Sequence, residues 1–244
     1  MGSRIVGLVV PEAADVIPIE ATVMYPNLTF VAHGIGLQSL SPAGYDEAIE
    51  RVIPAAQWLA ARGAQAIMVI GTSLTFYRGA AFNRALTERL SAETALPAAT
   101  MSGAIVKGLG TVGARNVAVV TAYSDEVNGM LIAFLRQSGF AVLSLRTVGV
   151  ANRVGEAAQT AEDDILRASV EACREAAKAD GVLIVCGGLR TLNITPRIEA
   201  RCGLPVVSSM PAALRMAARL AGATAPIPGG YGRLLSGELR SAVP

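Results

Sequence analysis

The sequence predicts an α/β fold of two pseudo-symmetric lobes, each a parallel sheet flanked by helices, with a cleft between them. Three observations carry this. Short apolar runs alternate with longer helical patterns, a rhythm that right-handed crossovers convert into parallel sheets. The runs are apolar at successive positions, as strands covered on both faces are. The two halves also repeat each other: Ala66-Ile67-Met68-Val69-Ile70-Gly71-Thr72-Ser73 lines up with Gly181-Val182-Leu183-Ile184-Val185-Cys186-Gly187-Gly188, and the stretch from Leu96 to Ala104 with that from Leu204 to Ala212.

Taken in order, Arg4 to Pro11 reads as the first strand. The mixed stretch from Glu12 to Pro42 has no clear period, and so long a segment without regular structure fits a loop that covers a substrate. A helix begins at Ser41-Pro42 and carries Tyr45, Ala48, Ile49, Val52, Ala56, Leu59 and Ala60 at helical spacing until Gly63. Ala66 to Ile70 is a strand that empties into Gly71-Thr72-Ser73; a helix from Ala80 to Glu93, a strand from Ala98 to Met101 and a helix from Ala104 to Leu109 follow. The second half continues with a strand from Asn116 to Thr121, a helix from Asp125 to Gln137 ended by Gly139, and a strand from Ala141 to Val148. A long helix from Gly155 to Ala179 has Ala161, Ile165, Ala168, Ala172 and Ala176 on one face. After the strand from Gly181 come a helix containing Pro196 and Arg201, a strand from Leu204 to Ser208 and a helix from Ala212 to Ala221. The expected division is an N-terminal lobe of residues 1–114, completed by the C-terminal segment 210–244, and a second lobe of residues 115–209.

Composition excludes several functions. With 244 residues the chain can bury a large core, and 52% apolar content says that it does. A net charge of +2 without any basic run argues against nucleic-acid or anionic-membrane partners. No apolar run approaches the roughly 20 residues a spanning helix needs, and the first residues lack the features of a signal peptide. A cytoplasmic protein with no evident obligate protein partner is expected. Three cysteines at wide spacing, Cys173, Cys186 and Cys202, fit neither a disulfide framework nor a metal clip. The single histidine, His33, sits in a setting that suits a loop or core residue. Gly108-Leu109-Gly110-Thr111-Val112-Gly113 matches the dinucleotide-binding pattern by letter but precedes a strand instead of following one, so these glycines are read as a helix end and a turn.

One stretch concentrates chemical potential. The strand from Gly181 stops on Cys186, followed by Gly187 and Gly188, and in open α/β sheets ligands collect outside the carboxyl ends of strands. The glycines permit close approach of backbone to ligand. A small buried hydrophobe at a strand end is the alternative reading of the same thiol. In the repeat its counterpart is Gly71, so one wall of the expected cleft holds a thiol and the other bare backbone.

Paired cysteines at these two strand ends characterise the aspartate/glutamate racemase superfamily, which the chain resembles in its two-lobed pattern and from which it departs at Gly71. With that departure, the run from Gly71 to Asn83, Thr121-Ala122-Tyr123, Cys186-Gly187-Gly188-Leu189 and Gly230-Tyr231-Gly232-Arg233-Leu234 closely resemble the arylmalonate decarboxylase family, over nearly the whole chain. The resemblance implies a cofactor-independent carboxy-lyase acting on a small dicarboxylate, an α-aryl or α-alkenyl malonate, with no metal. It assigns an oxyanion hole to the hydroxyls of Thr72, Ser73 and Tyr123 and the backbone N–H groups of Ser73 and Gly187, and one-sided protonation to Cys186. It assigns substrate contacts to Gly71, Gly188, Pro11, Leu37, Leu40, Tyr45 and Val154. Proton donation asks for a thiol protonated at rest, which an apolar pocket favours. Arg190 stands where the family has an apolar residue and is expected on the following helix, facing solvent. Two other readings stay open: a racemase or cis–trans isomerase of the same superfamily, and a non-catalytic protein that binds small carboxylates.

Overall fold

The computed structural model describes residues 4–223, 227 and 229–236. Two sheets share one winding. In the first, strands β1 (Ile5–Val10), β2 (Thr29–Gly34), β3 (Ala66–Val69) and β4 (Ala98–Thr100) lie parallel in the order β2-β1-β3-β4. In the second, β5 (Asn116–Thr121), β6 (Ala141–Thr147), β7 (Gly181–Val185) and β8 (Val206–Ser208) lie parallel in the order β6-β5-β7-β8. The repeat seen in the sequence is therefore a repeat of topology. All residues of β3, β7 and β8 are buried, which is why their sequences read as unbroken apolar runs.

Helices α1 (Ile19–Met24), α2 (Pro42–Ile49), α3 (Val52–Ala60), α4 (Thr72–Phe76), α5 (Gly79–Thr94) and α6 (Met101–Thr111) belong to the first half; α7 (Asp125–Gln137), α8 (Glu162–Glu175), α9 (Thr195–Cys202), α10 (Ser209–Leu220) and α11 (Arg233–Ser236) to the second. Helix α10 returns to pack on α6, β3, β4 and α1. Of the segment 210–244 expected to complete the first lobe, residues 224–226, 228 and 237–244 lie outside the described residues, as do residues 1–3 of the expected first lobe.

The structure corrects the reading of several elements. The stretch from Glu12 to Pro42 contains α1 and β2. Helix α1 is only six residues long and exposes Ile19 and Val23, so it shows little helical period; β2 is an edge strand held by its parallel pairing with β1. The expected single helix from Ser41 to Gly63 is two, α2 and α3, broken at Glu50-Arg51. Pro54, in the first turn of α3, has no N–H with which to continue the preceding helix. The expected helix from Gly155 to Ala179 is a 3-10 turn, Glu156–Gln159, followed by α8; Gly155 has φ +89° and Thr160 is extended, so the chain turns twice where a regular period suggested continuity. Helix α4, immediately after Gly71, had no sequence signal, whereas the strand Asn116–Thr121 and helix Asp125–Gln137 match expectation. The Gly108–Gly113 segment forms the end of α6 and the turn into β5, with Gly113 at φ +76°, and not a strand-to-helix phosphate loop.

Candidate active site

Strands β1, β3, β5 and β7 all end on one cavity. Pro11 follows β1, Gly71-Thr72-Ser73 follow β3, Tyr123 follows β5 and Cys186-Gly187-Gly188 follow β7; all line a cavity of about 130 Å³. Leu37, Leu40 and Val154 join the same wall. The structure thus brings together every expected site residue except Tyr45. That side chain is fully buried, with its ring 5.2 Å from that of Tyr77, and is not part of the wall.

The floor is polar and buried. Thr72 Oγ1 lies 2.9 Å from the Met101 sulfur and donates to Ser209 Oγ at 3.2 Å. Ser209 Oγ in turn accepts the backbone N–H of Cys186 at 3.3 Å, so one hydroxyl of α10 links the β3 loop to the β7 loop. Beneath α4, Thr75 Oγ1 donates within hydrogen-bond reach of the Gly71 and Thr72 carbonyls and of Ser102 Oγ, and Ser102 Oγ donates to the Thr72 carbonyl at 2.8 Å. Asn83 Nδ2 donates to the Thr75 carbonyl and to Thr100 Oγ1. Such a fully paired network fixes the backbone at Gly71 and Thr72 in one geometry. Thr75 and Asn83 stood in the motif that carried the resemblance, but no pattern in the sequence marked Ser102 or Ser209 as their partners.

Cys186 is 7% exposed and has φ +127°, a conformation that residues with a side chain rarely adopt. Burial pushes its thiol above the usual range. Hydrogen bonding from the backbone at Gly188 and Leu189 and from the Tyr123 hydroxyl opposes the shift only in part. The thiol is therefore protonated at neutral pH. Tyr123 is buried as well, and its phenol is raised well above 10 by burial and by the neighbouring Cys186 and Tyr45, while the Thr72 and Ser73 hydroxyls work the other way. Three hydroxyls and a thiol thus face one another across the strand ends. Gly71, at φ +123°, leaves open space where a side chain would stand: an added Cβ would meet only Leu74, at 3.4 Å.

Two charged residues that the sequence did not single out also line the cavity, Glu12 and Arg153. Burial raises the Glu12 carboxyl. His33 lies on β2, its ring stacked on Trp58 at 4.4 Å, away from the cavity. Arg190 is exposed, in the loop ahead of α9 instead of on the helix. Cys173 and Cys202, both free, meet where α8 packs on α9; the thiol–thiol hydrogen bond raises Cys173 and lowers Cys202. Among the described residues no group of three His, Cys, Asp or Glu side chains is placed to hold a metal, and no helix is long and apolar enough to cross a membrane.

Two parallel sheets of the same strand order, their strand ends meeting on one cavity with a thiol on one side only, define a two-lobed α/β protein with an asymmetric site. Residues 6–235 match the family described as arylmalonate decarboxylase. The chain is 44% identical over 229 residues to the arylmalonate decarboxylase of Bordetella bronchiseptica, across 94% of this chain and 95% of that one. Unliganded arylmalonate decarboxylase superposes with a TM-score of 0.87 at 44% identity, covering 96% and 99% of the two chains. A liganded form of the same enzyme, with one glycine replaced by cysteine and one cysteine by serine, superposes with a TM-score of 0.94 at 42% identity, covering 96% and 100%. A maleate isomerase from Pseudomonas putida shares the fold, with a TM-score of 0.88 at 21% identity over 97% and 99% of the chains. The chain belongs to the arylmalonate decarboxylase family, and its enzyme class is carboxy-lyase.

Proposed function

We propose that the protein decarboxylates α-aryl or α-alkenyl malonates without a cofactor and delivers a proton to one face of the resulting enediolate. The observation that carries this reading is the pairing of a buried, protonated Cys186 with a bare Gly71 on one cavity. In the proposed step the bond between the α-carbon and one carboxylate breaks, its electron pair moves into the remaining carboxylate, and CO2 leaves. The enediolate carries its charge on two oxygens, which the hydroxyls of Thr72, Ser73 and Tyr123 and the N–H groups of Ser73 and Gly187 stabilise. One such donor is worth about a hundredfold to a thousandfold in rate. The departing carboxylate lies against Pro11, Leu37, Leu40 and Val154, where poor solvation favours its conversion to neutral CO2. Cys186 then gives its proton to the α-carbon. The thiolate left behind is stabilised by hydrogen bonding from the neighbouring Gly188 backbone and the Tyr123 hydroxyl until water returns the proton.

Gly71 has no proton to give, so the product is a single enantiomer. The same asymmetry weighs against a racemase, which needs an acid or base on each face. The reading places the lobe boundary near residue 114, with α10 crossing back to the first lobe. The test is incubation with phenylmalonate while CO2 release and, for an α-methylated analogue, product chirality are followed. Enantiopure monoacid is the expected result; absence of CO2 release sinks the reading.

A further inference from the structure

Apart from Glu12 and Arg153, the cavity wall consists of apolar side chains, backbone, hydroxyls and the thiol. Arg153 is held by its backbone and free at its head. Its own N–H and that of Asn152 donate to Glu156 Oε2, at 3.1 and 2.7 Å. The Asn152 carbonyl accepts the Leu40 N–H at 2.8 Å, and Ala151 N–H donates to the Ala122 carbonyl at 2.9 Å. These bonds fasten the loop to both halves of the wall. No ion pair among the described residues includes the Arg153 guanidinium, and the residue is exposed.

The guanidinium of an exposed residue on the wall of this cavity, with no ion-pair partner among the described residues, has three parts of a dianionic substrate it could serve. The carboxylate that becomes the enediolate belongs to Thr72, Ser73 and Tyr123, each at most 3% exposed, deep beneath the rim. Contact with the departing carboxylate would stabilise its charge and hinder its loss as CO2. The far end of the α-substituent remains. The small residues beside Arg153, Gly155, Ala157 and Ala158, leave room along the wall for that substituent.

We propose that Arg153 is a specificity residue whose guanidinium receives an anionic group at the distal end of the α-substituent, so that the favoured substrates are malonates with a carboxylate-bearing aryl group. Planar, bidentate pairing with carboxylate is what a guanidinium does better than any other side chain. The inference rests on the decarboxylase reading above.

The test compares kcat/KM for (4-carboxyphenyl)malonate and phenylmalonate in the unmodified enzyme, Arg153→Met and Arg153→Lys. Both substrates are measured on one preparation, so a folding defect cancels in their ratio. Arg153→Met is expected to lower the ratio of the carboxylated to the plain substrate at least tenfold, through KM, and Arg153→Lys to restore part of it. An unchanged ratio in Arg153→Met, while phenylmalonate is still turned over, overturns this inference alone. So does a higher kcat for phenylmalonate in Arg153→Met, which would place the guanidinium on the departing carboxylate. Failure of the unmodified enzyme to turn over phenylmalonate overturns the decarboxylase reading and this inference with it.

Discussion

Gly71 and Cys186 occupy equivalent positions in the two lobes and share one unusual backbone conformation, with φ of +123° and +127°. Each lies just past the carboxyl end of the third strand in chain order of its own sheet, β3 and β7, and both line the same cavity. The turn demands a positive φ, which glycine supplies freely at residue 71. At residue 186 a side chain is retained against a strain of about 1–3 kcal/mol. A strained non-glycine residue at a cavity is a reason to look for function there.

That equivalence makes Gly71→Cys an informative exchange. The added Cβ meets only Leu74 at van der Waals distance, so the cost is the backbone strain and not a clash. The variant should fold, with stability lower by about 1–3 kcal/mol. With an acid on each face it should also erode the optical purity of a chirally pure 2-arylpropionate. Chiral chromatography after prolonged incubation checks this; retained purity in a folded variant would separate the two faces.

In the proposed mechanism Cys186 sets a pH dependence. Its folded-state pKa is raised by burial, so the active, protonated form persists above the ordinary thiol range of about 8.5. Turnover should be flat from neutrality through the ordinary thiol range of about 8.5 and fall only beyond it. The same shift contributes stability that is complete below the unfolded thiol pKa and is lost as pH rises through the folded one. A kcat that already declines between about pH 6 and 8 would mean that another group limits the rate. Cys186→Ala should remove turnover by at least a thousandfold with little change in circular dichroism.

Tyr123 is assigned to the charge that develops during reaction rather than to the ground state. Tyr123→Phe keeps the ring, which meets Phe76 edge-on at 5.9 Å, and removes only the hydroxyl. Loss of one such donor predicts a fall in kcat of about a hundredfold to a thousandfold, with KM changed far less. Steady-state kinetics separates the two, and a change confined to KM would give Tyr123 a binding role only.

The parts of the site visible in the sequence were those fixed by backbone. A buried parallel strand reads as an apolar run, and its end is where Gly71, Tyr123 and Cys186 were expected and found. What the sequence hid depends on contacts between distant segments. Ser209 joins Thr72 to Cys186 across 137 and 23 residues of chain, and such a hydroxyl looks like any other at a helix start. Arg153 and Glu12 lie in segments without periodicity, so neither carried a sign of facing a cavity. Helix boundaries failed at Glu50-Arg51 and at Thr160, where the missing N–H of Pro54 and an extended residue overrode apolar spacing.

Glu199 shows how a motif legible as resemblance acquires a physical cause. Its carboxylate, on α9 and 7% exposed, accepts the Val206 N–H at 2.9 Å and the Arg233 N–H at 3.1 Å, tying the start of β8 to α11. Gly232 is required because a Cβ there would come within 2.4 Å of Thr195 Cγ2, on a backbone with φ +98°. Glu199→Ala leaves two backbone donors without an acceptor, at a cost of about 2–4 kcal/mol, whereas Glu199→Gln keeps one carbonyl oxygen and should lose about 1 kcal/mol. Urea denaturation followed by circular dichroism checks the order of the three proteins. Equal stability of Glu199→Ala and the unmodified chain would show that α11 is not held by this carboxylate.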